Sequence, residues 1–588
     1  MRKSLVLLGV AAAVALLATS AFADNRGASF TGIGFISGPL CVAGANAGNP
    51  CTTNADCPGS RCQVPASSVW DMNADATLFM VSPSFAGTYM TLWTREGGWG
   101  DQIGSISGIA RMSASGNTVV GNGIYPGSNP AYAWPGTWTG VVDVWDPIPE
   151  NPGYAPCGTS RMSYHSSPGG EGDYGAGLTW SGCAYARAFK WDKATDTSVE
   201  LGSPNTRSTR ANAISDDGSI VYGWGTALFG TRRAAIFENG TVEFVGDPNG
   251  LEPKTCVGTQ KGCTSNSADP TFGCPDQYVD DGSCPNDSKG VCTAGICVGG
   301  FDAGKTCTSS SQCGGTCAGG PNNGLRCTSN GSCPDTPVCL DNPLWTDDLF
   351  KGEIYDATPD GMYAVGRNYD YSANWDSGFR YNRATDTFDQ MPPAETWPYL
   401  VDPFRVSDDG STAVGNLGTR LTGTAPFFWR EGLGTIDLQY FLLGQGLDEL
   451  FFWYLSQAST VSADGTVIAG YGVNPDNWLE GWIVDISKVW VCHAPGGDMD
   501  KARTLGVGID SAADHVGHGD FLGTCEFLNS GGLSRAAEMN LRRSTAAVTG
   551  IGREIESAAF DSWQPQVKSV GGRHSIAAPE RKQAQKQR

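Results

Sequence analysis

Short apolar strands on either side of a polar turn recur along most of this chain. The clearest copy runs from Ala213 to Gly223, where Ser215-Asp216-Asp217-Gly218 separates two apolar segments, and the segment from Phe404 to Gly415 repeats it. Serine and aspartate side chains bond back to the backbone in such turns, and glycine supplies the positive φ that reverses the chain. The pattern therefore predicts a repeated β-hairpin. Further copies lie at 112–121, 357–366 and 461–470.

Each hairpin is followed by a loop of variable length and then by a strand that starts with a small residue and is rich in aromatic residues. Gly378-Phe379-Arg380-Tyr381 and Pro426-Phe427-Phe428-Trp429 are two examples. A second turn occurs twice in nearly the same form, at 193–197 and 383–387. Each unit is therefore predicted to contain about four short strands, whose alternate residues face a core.

The number and length of these units predict the architecture. Five units are clear, and two degenerate ones cover 69–93 and 170–191. Successive turn glycines at Gly361, Gly410 and Gly465 lie about 50 residues apart, close to the length of a propeller blade. We therefore expect an all-β fold, a β-propeller of seven four-stranded blades, with Ala28 to Ser37 as a strand that closes the ring.

Twenty cysteines interrupt the repeats in groups of even size. Even groups in an exported chain are typical of local disulfides, whereas the cysteine-rich segments contain neither histidine nor Cys-x-x-Cys pairs, which disfavours zinc. A cysteine-rich insertion also explains why the turn glycines Gly218 and Gly361 lie too far apart for one blade. The groups are four cysteines in 41–62, twelve in 256–339, Cys157 with Cys183, and Cys492 with Cys525.

The first residues have the pattern of a secretory signal. Arg2 and Lys3 precede the apolar segment from Leu5 to Leu17, and Ala21-Phe22-Ala23 forms a cleavage site. We therefore expect an exported protein, located outside the cell, on its surface or in the periplasm, without a membrane span in the mature chain. The net charge of −21 argues against a nucleic-acid partner, because phosphate binding needs a basic surface.

These features predict seven segments along the chain. They are a signal peptide at 1–23, an N-terminal strand with a cysteine-rich module at 24–65, blades at 66–250, a cysteine-rich insertion at 251–340, blades at 341–487, a disulfide and histidine mini-domain at 488–527, and a basic, disordered tail at 528–588.

The repeated units resemble the HAF extracellular repeat of exported bacterial proteins. The resemblance covers Ala66 to Asp485 without the insertion and rests on the turn and strand pattern described above. It implies export and a β-propeller-like array, and the family carries no established enzymatic activity. Sialidase-type turns differ from these turns, because they have a tryptophan after the turn glycine.

Three of the five histidines, His493, His515 and His518, lie in one short C-terminal segment. This segment resembles a module at the ends of exported bacterial proteins that begins Val-Cys-His-x-Pro and finishes His-x-x-His-Gly-Asp-x-Leu-Gly-x-Cys, and to which no activity is assigned. A disulfide between Cys492 and Cys525 would draw His493 towards the other two histidines.

Imidazole and carboxylate groups are typical transition-metal ligands, so His493, His515, His518 and Asp520 form a candidate metal site. Two histidines three residues apart share one face of a helical turn, which supports this interpretation. The alternative is a disulfide-closed mini-domain in which the histidines hydrogen-bond to the backbone.

The chain has no recognised catalytic motif, such as a Gly-x-Ser-x-Gly elbow, a Walker loop or a His-Glu-x-x-His helix. The paired aspartates of two turns, Asp216-Asp217 and Asp408-Asp409, are interpreted as turn formers rather than calcium ligands. The sequence thus favours a secreted, non-enzymatic binding protein whose partner is an extracellular protein or glycan, and which requires no cofactor.

Two alternatives stay open. A propeller-type hydrolase or lyase predicts carboxylates with shifted pKa values that converge at one channel mouth. A metal-binding protein would use the C-terminal histidines. Whether the chain is an enzyme is undecided at this level, and the missing motifs argue against it.

Overall fold

The computed structural model describes most of residues 27–529. The expected signal peptide, the basic tail, and Cys157 and Cys183 lie outside the described residues, as does most of the cysteine-rich insertion. Gaps of five or more residues cover 42–48, 84–89, 105–109, 124–133, 139–145, 148–163, 227–231, 246–253, 257–288, 318–325, 328–338, 342–351 and 395–399.

The described residues form seven antiparallel four-stranded sheets, numbered here in chain order from the inner to the outer strand. The strands of sheet 1 are Ser68–Met72, Leu78–Ser82, Met90–Thr94 and Gly98–Gly104. Those of sheet 2 are Arg111–Met112, Val119–Gly123, Trp134–Trp138 and Asp146–Pro147. Those of sheet 3 are Tyr164–Gly169, Tyr174–Ser181, Tyr185–Asp192 and Thr197–Glu200. Those of sheet 4 are Thr209–Ile214, Ile220–Thr226, Arg232–Glu238 and Thr241–Phe244.

The second half of the chain adds three sheets with the same strand order. The strands of sheet 5 are Gly352–Ala357, Tyr363–Asp370, Trp375–Asn382 and Thr387–Met391. Those of sheet 6 are Val401–Val406, Thr412–Thr419, Gly423–Arg430 and Gly434–Asp437. Those of sheet 7 are Tyr454–Val461, Val467–Val473, Leu479–Asp485 and the N-terminal strand Ser29–Gly32, which pairs with Leu479–Asp485.

The sheets are arranged radially. The first strand of each sheet packs against the first strand of the next, and the first strand of sheet 7 packs against that of sheet 1. The core lies between neighbouring sheets; between sheets 7 and 1, for example, Ile483 and Ala469 pack with Val69 and Phe79. Because the arrangement returns to its starting point, the expected all-β, β-propeller fold is confirmed at the level of four-stranded antiparallel sheets around a common axis.

The hairpin turns have the predicted chemistry. Gly218, Gly361, Gly410 and Gly465 have φ between 68° and 73°, the left-handed region that glycine adopts without a steric penalty. In the turn at Gly218, the carboxylate of Asp217 accepts hydrogen bonds from the Ser215 hydroxyl at 2.7 Å and from the Ser219 amide at 2.9 Å.

The same turns connect neighbouring sheets through backbone hydrogen bonds at one end of the ring. The amide at the second turn position donates to the carbonyl at the same position of the next sheet. Pro359 has no amide hydrogen to donate, and the amide of Gly170 donates to the side chain of Asp216 instead. The bonds present are Ala74 to Ala114 (2.9 Å), Ala114 to Gly170 (2.8 Å), Asp216 to Pro359 (2.8 Å), Asp408 to Ala463 (2.9 Å) and Ala463 to Ala74 (2.9 Å).

Inner strands carry a β-bulge shortly before the turn, and the glycine that ends each repeated hairpin lies opposite it. In sheet 7 the bulge falls between Ala458 and Thr460, and Gly470 pairs with Ala458. A Cβ atom on Gly470 would lie 1.9 Å from the carbonyl oxygen of Gln457. The repeated glycine is therefore required by the close approach of the bulged strand.

We expect Gly470→Ala to lower the free energy of unfolding by about 2–4 kcal/mol, because backbone rather than a flexible side chain blocks the added methyl group. Chemical denaturation with the disulfides intact measures this change. Gly517→Ala is the matched control, since its methyl group meets nothing within 4 Å. An equal loss in both variants would contradict the steric explanation.

Helix α1, Leu438–Gly444, follows sheet 6, and a 3-10 turn at Asp448–Phe452 leads into sheet 7. The C-terminal module then packs against the outer part of sheets 6 and 7. Its Val491 and Phe527 share one core with Phe428 and Leu442. The module consists of strands Lys488–His493, Arg503–Gly508 and Phe521–Leu522, helices α2 (Ile509–Gly517) and α3 (Cys525–Asn529), and 3-10 turns Pro495–Gly497 and Met499–Lys501.

The cysteine-rich segments form small two-stranded sheets. The predicted disulfides are confirmed as a class, because no cysteine of the described residues is free. In the described part of the chain, no helix is long and apolar enough to cross a membrane. The two-stranded sheets of the cysteine-rich segments pair Leu40–Cys41 with Cys62–Gln63, Lys254–Cys256 with Cys339–Asp341, Val291–Thr293 with Ile296–Val298, and Gly315–Thr316 with Arg326–Cys327. The bridges with both partners described are Cys51–Cys62, Cys292–Cys307, Cys297–Cys313 and Cys492–Cys525.

Candidate functional site

A polar cavity opens on the axis of the ring, at the end that carries the hairpin turns. It encloses about 680 Å³, a volume that includes open solvent. Its wall consists of residues from the inner strands and their turns, contributed by six of the sheets, together with Gly170 from the turn of the remaining sheet 3. Concave sites into which several strands direct polar groups are where small ligands bind most readily.

One structural position supplies the charged wall of the cavity. It is the residue two places before the first turn residue, directly after the bulge in the inner strands of sheets 1, 5, 6 and 7. A bulge re-aims the side chain that follows it, so these residues point towards the axis. The position is occupied by Asp71, Arg111, Asp356, Arg405 and Thr460 in sheets 1, 2, 5, 6 and 7.

The two aspartates are held by hydrogen bonds from neighbouring sheets. Asp71 Oδ2 accepts the Met112 amide at 2.9 Å, and Asp71 Oδ1 accepts the Thr460 hydroxyl at 2.8 Å. In the same way, Asp356 Oδ2 accepts the Val406 amide at 3.1 Å. Each carboxylate is therefore oriented by the backbone of the next sheet, and Asp71 also by the Thr460 hydroxyl, which ring closure brings alongside it.

The two arginines are less well paired. Arg111 Nη1 lies 3.9 Å from Asp356 Oδ1, and Arg405 Nε lies 3.7 Å from Asp71 Oδ1, distances beyond a hydrogen bond. Among the described residues, the guanidinium of Arg111 makes no hydrogen bond although the side chain is only 4% exposed. Arg405 donates from Nη1 to the carbonyl of Phe404 at 3.0 Å, and its Nε has no hydrogen-bond partner there.

Burial shifts the pKa values of this group. It raises the pKa of Asp356 to about 7, with Asp71 adding to the rise and Arg111 opposing it. Burial also raises the pKa of Asp71 above its ordinary value, against the effect of Arg111 and the Met112 amide. For Arg111, burial lowers the pKa, whereas Asp356 and Asp71 raise it.

The mouth of the cavity is acidic. Asp216 and Asp408, at the second turn position of sheets 4 and 6, are exposed and line the opening. Partial burial raises the pKa of Asp408, and repulsion from Asp216 raises it further. Partial burial likewise raises the pKa of Asp216.

This arrangement corrects the interpretation of both aspartates in each pair as turn formers. Only the second aspartate of each pair forms hydrogen bonds within the turn. In the turn at Gly218, hydrogen bonds from the Ser219 amide and the Ser215 hydroxyl lower the pKa of Asp217 to about 2. Asp409 accepts the Ser407 hydroxyl at 2.6 Å in the equivalent turn. The first aspartate, Asp216 or Asp408, instead faces the cavity.

Sequence reasoning missed the charged wall, although the repeat contains a signal for it. Aligned on their turns, four of the seven hairpins place a charged residue two positions before the turn, as in Asp356-Ala357-Thr358 and Arg405-Val406-Ser407. A charge at a constant position of an inner strand is unexpected in a core. Convergence of these charges from different sheets follows only from ring closure.

The predicted C-terminal cluster forms in part. His493 Nδ1 and His515 Nδ1 each lie 2.8 Å from the same oxygen, Asp520 Oδ2. Burial of Asp520 opposes its ionisation, but the hydrogen bonds with His493 and His515 lower its pKa to about 2. His518 is exposed at the C-terminal end of α2 and is not part of this group.

The predicted disulfide between Cys492 and Cys525 is present, with Cα atoms 4.8 Å apart. It fixes the residue that precedes His493 and joins its strand to α3. The pairing predicted for Cys157 and Cys183 concerns residues outside the described part of the chain.

No family model matches the chain, and no curated protein is similar to it in sequence. Among solved structures, TolB from Acinetobacter baumannii is 8% identical, with 69% of this chain and 76% of that chain covered and a TM-score of 0.30. An oligogalacturonate lyase from Vibrio parahaemolyticus is 8% identical, with 72% and 96% covered and a TM-score of 0.27. At these TM-scores, no function is derived from either likeness.

Proposed function

We propose that this chain is an exported binding protein whose seven sheets are the blades of a seven-bladed β-propeller and whose axial cavity holds a small ligand with an anionic group. The observation that carries the proposal is the guanidinium of Arg111. It is buried at the cavity wall, and no described residue accepts a hydrogen bond from it.

A guanidinium has five N–H donors, and buried donors are ordinarily hydrogen-bonded. Arg111 therefore has hydrogen-bond donors that a ligand could use, and the Nε of Arg405, which also has no partner among the described residues, is another. A carboxylate or a phosphate accepts two parallel hydrogen bonds from a guanidinium, which makes an anionic group the best match for this wall.

The acidic mouth narrows the ligand class. A ligand that is anionic throughout would be repelled by Asp216 and Asp408. The second turn position lies three residues beyond the wall position of the same strand, so along the axis the mouth is roughly 10 Å at most from the level of the wall residues. A zwitterion with its anionic group at Arg111 and a cationic group at the mouth matches both charges. An extracellular protein would present such a pair as a terminal carboxylate beside a basic side chain. A glycan would present it as an acidic and an amino substituent.

The disulfides and the N-terminal sequence support the export that we propose. Disulfides persist in oxidising compartments, and the described cysteines are all paired. The N-terminal pattern of 1–23 predicts a secretory signal, so the mature protein would meet its ligand outside the cytoplasm.

Enzymatic activity in the same cavity is the second candidate, as a hydrolase or lyase. It is favoured by Asp356, whose pKa of about 7 suits an acid or base that exchanges protons near neutral pH. This candidate is tested by turnover. The protein, incubated with a ligand that it binds, must consume that ligand, as followed by mass spectrometry. The Asp356→Asn variant must bind the ligand without consuming it.

The binding proposal is tested with three matched probes, 6-aminohexanoate, hexanoate and hexylamine, by thermal shift and calorimetry on the mature protein. Ligands that bind the folded state raise its melting temperature. We expect 6-aminohexanoate to stabilise the protein most and hexylamine least. Arg111→Met should abolish the effect of both acids.

The role of the aspartates at the mouth is tested with a double variant, Asp216→Asn with Asp408→Asn. This variant should lose the preference for 6-aminohexanoate over hexanoate. Asp217→Asn is the control, because Asp217 bonds within its own turn. If millimolar acid leaves the melting temperature unchanged, or stabilises Arg111→Met as well as the wild type, the proposed ligand class is wrong.

A further inference from the structure

A second polar site lies outside the ring, in the C-terminal module. Three elements meet there: the strand Lys488–His493, helix α2 and the turn that leads to Phe521–Leu522. They supply His493, His515 and Asp520, whose ligand atoms all lie within 4.8 Å of one another. This group is separate from the axial cavity, since none of its members lines that cavity.

The local backbone explains why Asp520, rather than His518, lies beside His515. Helix α2 ends at Gly517, and the amide of Asp520 then donates to the carbonyl of His515 at 3.0 Å. This bond folds the chain back over the last turn of the helix. His518 is left at the exposed helix end.

The carboxylate is held in place by the rest of the module. Its Oδ1 accepts the Ala494 amide at 3.1 Å, so Oδ2 is the oxygen directed to both imidazoles. The Asp520 side chain is 3% exposed, whereas His493 and His515 are 31% and 26% exposed. The Cys492–Cys525 bridge anchors the strand directly beside His493. The group is therefore pre-organised, with one side open to solvent.

We propose that His493, His515 and Asp520 bind one divalent transition-metal ion of the zinc class, through the two Nδ1 atoms and Oδ2. Metal–ligand distances of about 2.0–2.2 Å place tetrahedral ligand atoms roughly 3.3 Å apart. The observed 2.8 Å contacts reach this separation after a shift of about half an ångström. The ion takes the place of the Nδ1 protons, and each neutral imidazole then carries its proton on Nε2.

The ligand types select the metal. Two imidazoles and one carboxylate suit zinc, copper, nickel or iron, whereas calcium and magnesium prefer oxygen ligands alone. Thiolates are absent from the group, because Cys492 and Cys525 are joined in a disulfide. Three protein ligands leave the fourth position to water or to a group of a partner, on the side that faces solvent. The Ala494 amide is the outer contact that orients Asp520.

The test uses the mature, oxidised protein after dialysis against a chelator. Zn²⁺ is titrated by calorimetry, and Co²⁺ by visible absorption, because the Co²⁺ spectrum reports tetrahedral coordination by nitrogen and oxygen. We expect one equivalent of either ion to bind. Single variants His493→Asn, His515→Asn and Asp520→Asn should each weaken binding by more than the roughly 10- to 100-fold effect of changing an outer contact.

Asparagine at the histidine positions places an amide N–H close to Nδ1, so the hydrogen bond to Asp520 is retained while the metal ligand is lost. His518→Asn is the matched control and should leave binding unchanged. Mass spectrometry without reduction and limited proteolysis establish that each variant keeps the Cys492–Cys525 bridge and its fold. The proposal would be overturned if the wild type took up no stoichiometric metal, or if His518→Asn weakened binding as much as the other variants. The cluster would then be a metal-free group in which hydrogen bonds hold the strand, the helix and the turn together.

Discussion

Replacing Arg111 by methionine is expected to leave the protein as stable as the wild type or more stable by about 1–2 kcal/mol at pH 5.5. Arg111 is buried without a hydrogen bond, so its removal relieves a desolvation penalty that attraction to Asp356 and Asp71 offsets only in part. At this pH Asp356, whose pKa is about 7, is mostly protonated, so the substitution does not leave its carboxylate charged and unpaired. Chemical denaturation with the disulfides intact measures the difference.

Arg380→Met is the matched comparison, because Arg380 is equally buried but fully paired. Its guanidinium donates to Asp389 at 2.7 Å and 3.0 Å, to Glu431 at 3.0 Å and to the Gly410 carbonyl at 2.8 Å. It also lies 4.8 Å from the ring centroids of Tyr363 and Trp429. We expect a loss of about 2–3 kcal/mol here.

A comparison of the two variants thus distinguishes a structural from a functional role for Arg111. A stable Arg111→Met protein that no longer binds the acidic probes would show that Arg111 is kept for its ligand at the expense of stability. If Arg111→Met is destabilised as much as Arg380→Met, Arg111 is part of the framework and the binding proposal loses its main support.

The stability of the wild type should fall as the pH rises from about 4 to 7, and Asp356→Asn should abolish most of this fall. Folding raises the pKa of Asp356 to about 7, whereas the unfolded chain releases the proton near pH 3.9. Between these values the folded state binds more protons, so the free energy of unfolding decreases with rising pH. Three pKa units correspond to about 4 kcal/mol at most, because each unit is worth about 1.4 kcal/mol.

Unfolding at pH 4.5, 6 and 8 checks this dependence. Asp356→Asn should match the wild type at pH 4.5 and exceed its stability at pH 8. Asp217→Asn is a control of opposite sign, since the turn lowers the pKa of Asp217 to about 2; its contribution is present above pH 4 and is lost in acid. A wild-type slope that persists in Asp356→Asn would show that Asp356 ionises normally in the folded protein.

Much of the repeat could be predicted from the sequence because its determinants are local. The turn glycine, the aspartate that bonds to Ser215 and Ser219, and the small residue before each aromatic strand all act within a few positions of one another. The buried aromatic positions follow from the same pattern: Phe379, Phe427 and Trp482 are at most 1% exposed. Even the Cys492–Cys525 bridge was predictable from an isolated pair of cysteines.

The C-terminal cluster was predicted with one residue too many. Spacing alone placed His515 and His518 on one helical face, but α2 ends between them, and Asp520 takes the place beside His515. Helix ends depend on capping bonds whose position a three-residue spacing does not specify.

Local sequence specifies the repeated hairpin, its glycines and aspartates, and the disulfide-bonded segments, because each depends on backbone conformation and contacts between near neighbours. The axial site, in contrast, forms only through contacts between distant repeats. Asp71 accepts the hydroxyl of Thr460 across 389 residues, and Asp356 and Arg111 approach each other from sheets 5 and 2. These contacts arise when the ring closes and desolvates its inner strands, which places charges from distant repeats in one buried cavity and shifts their pKa values.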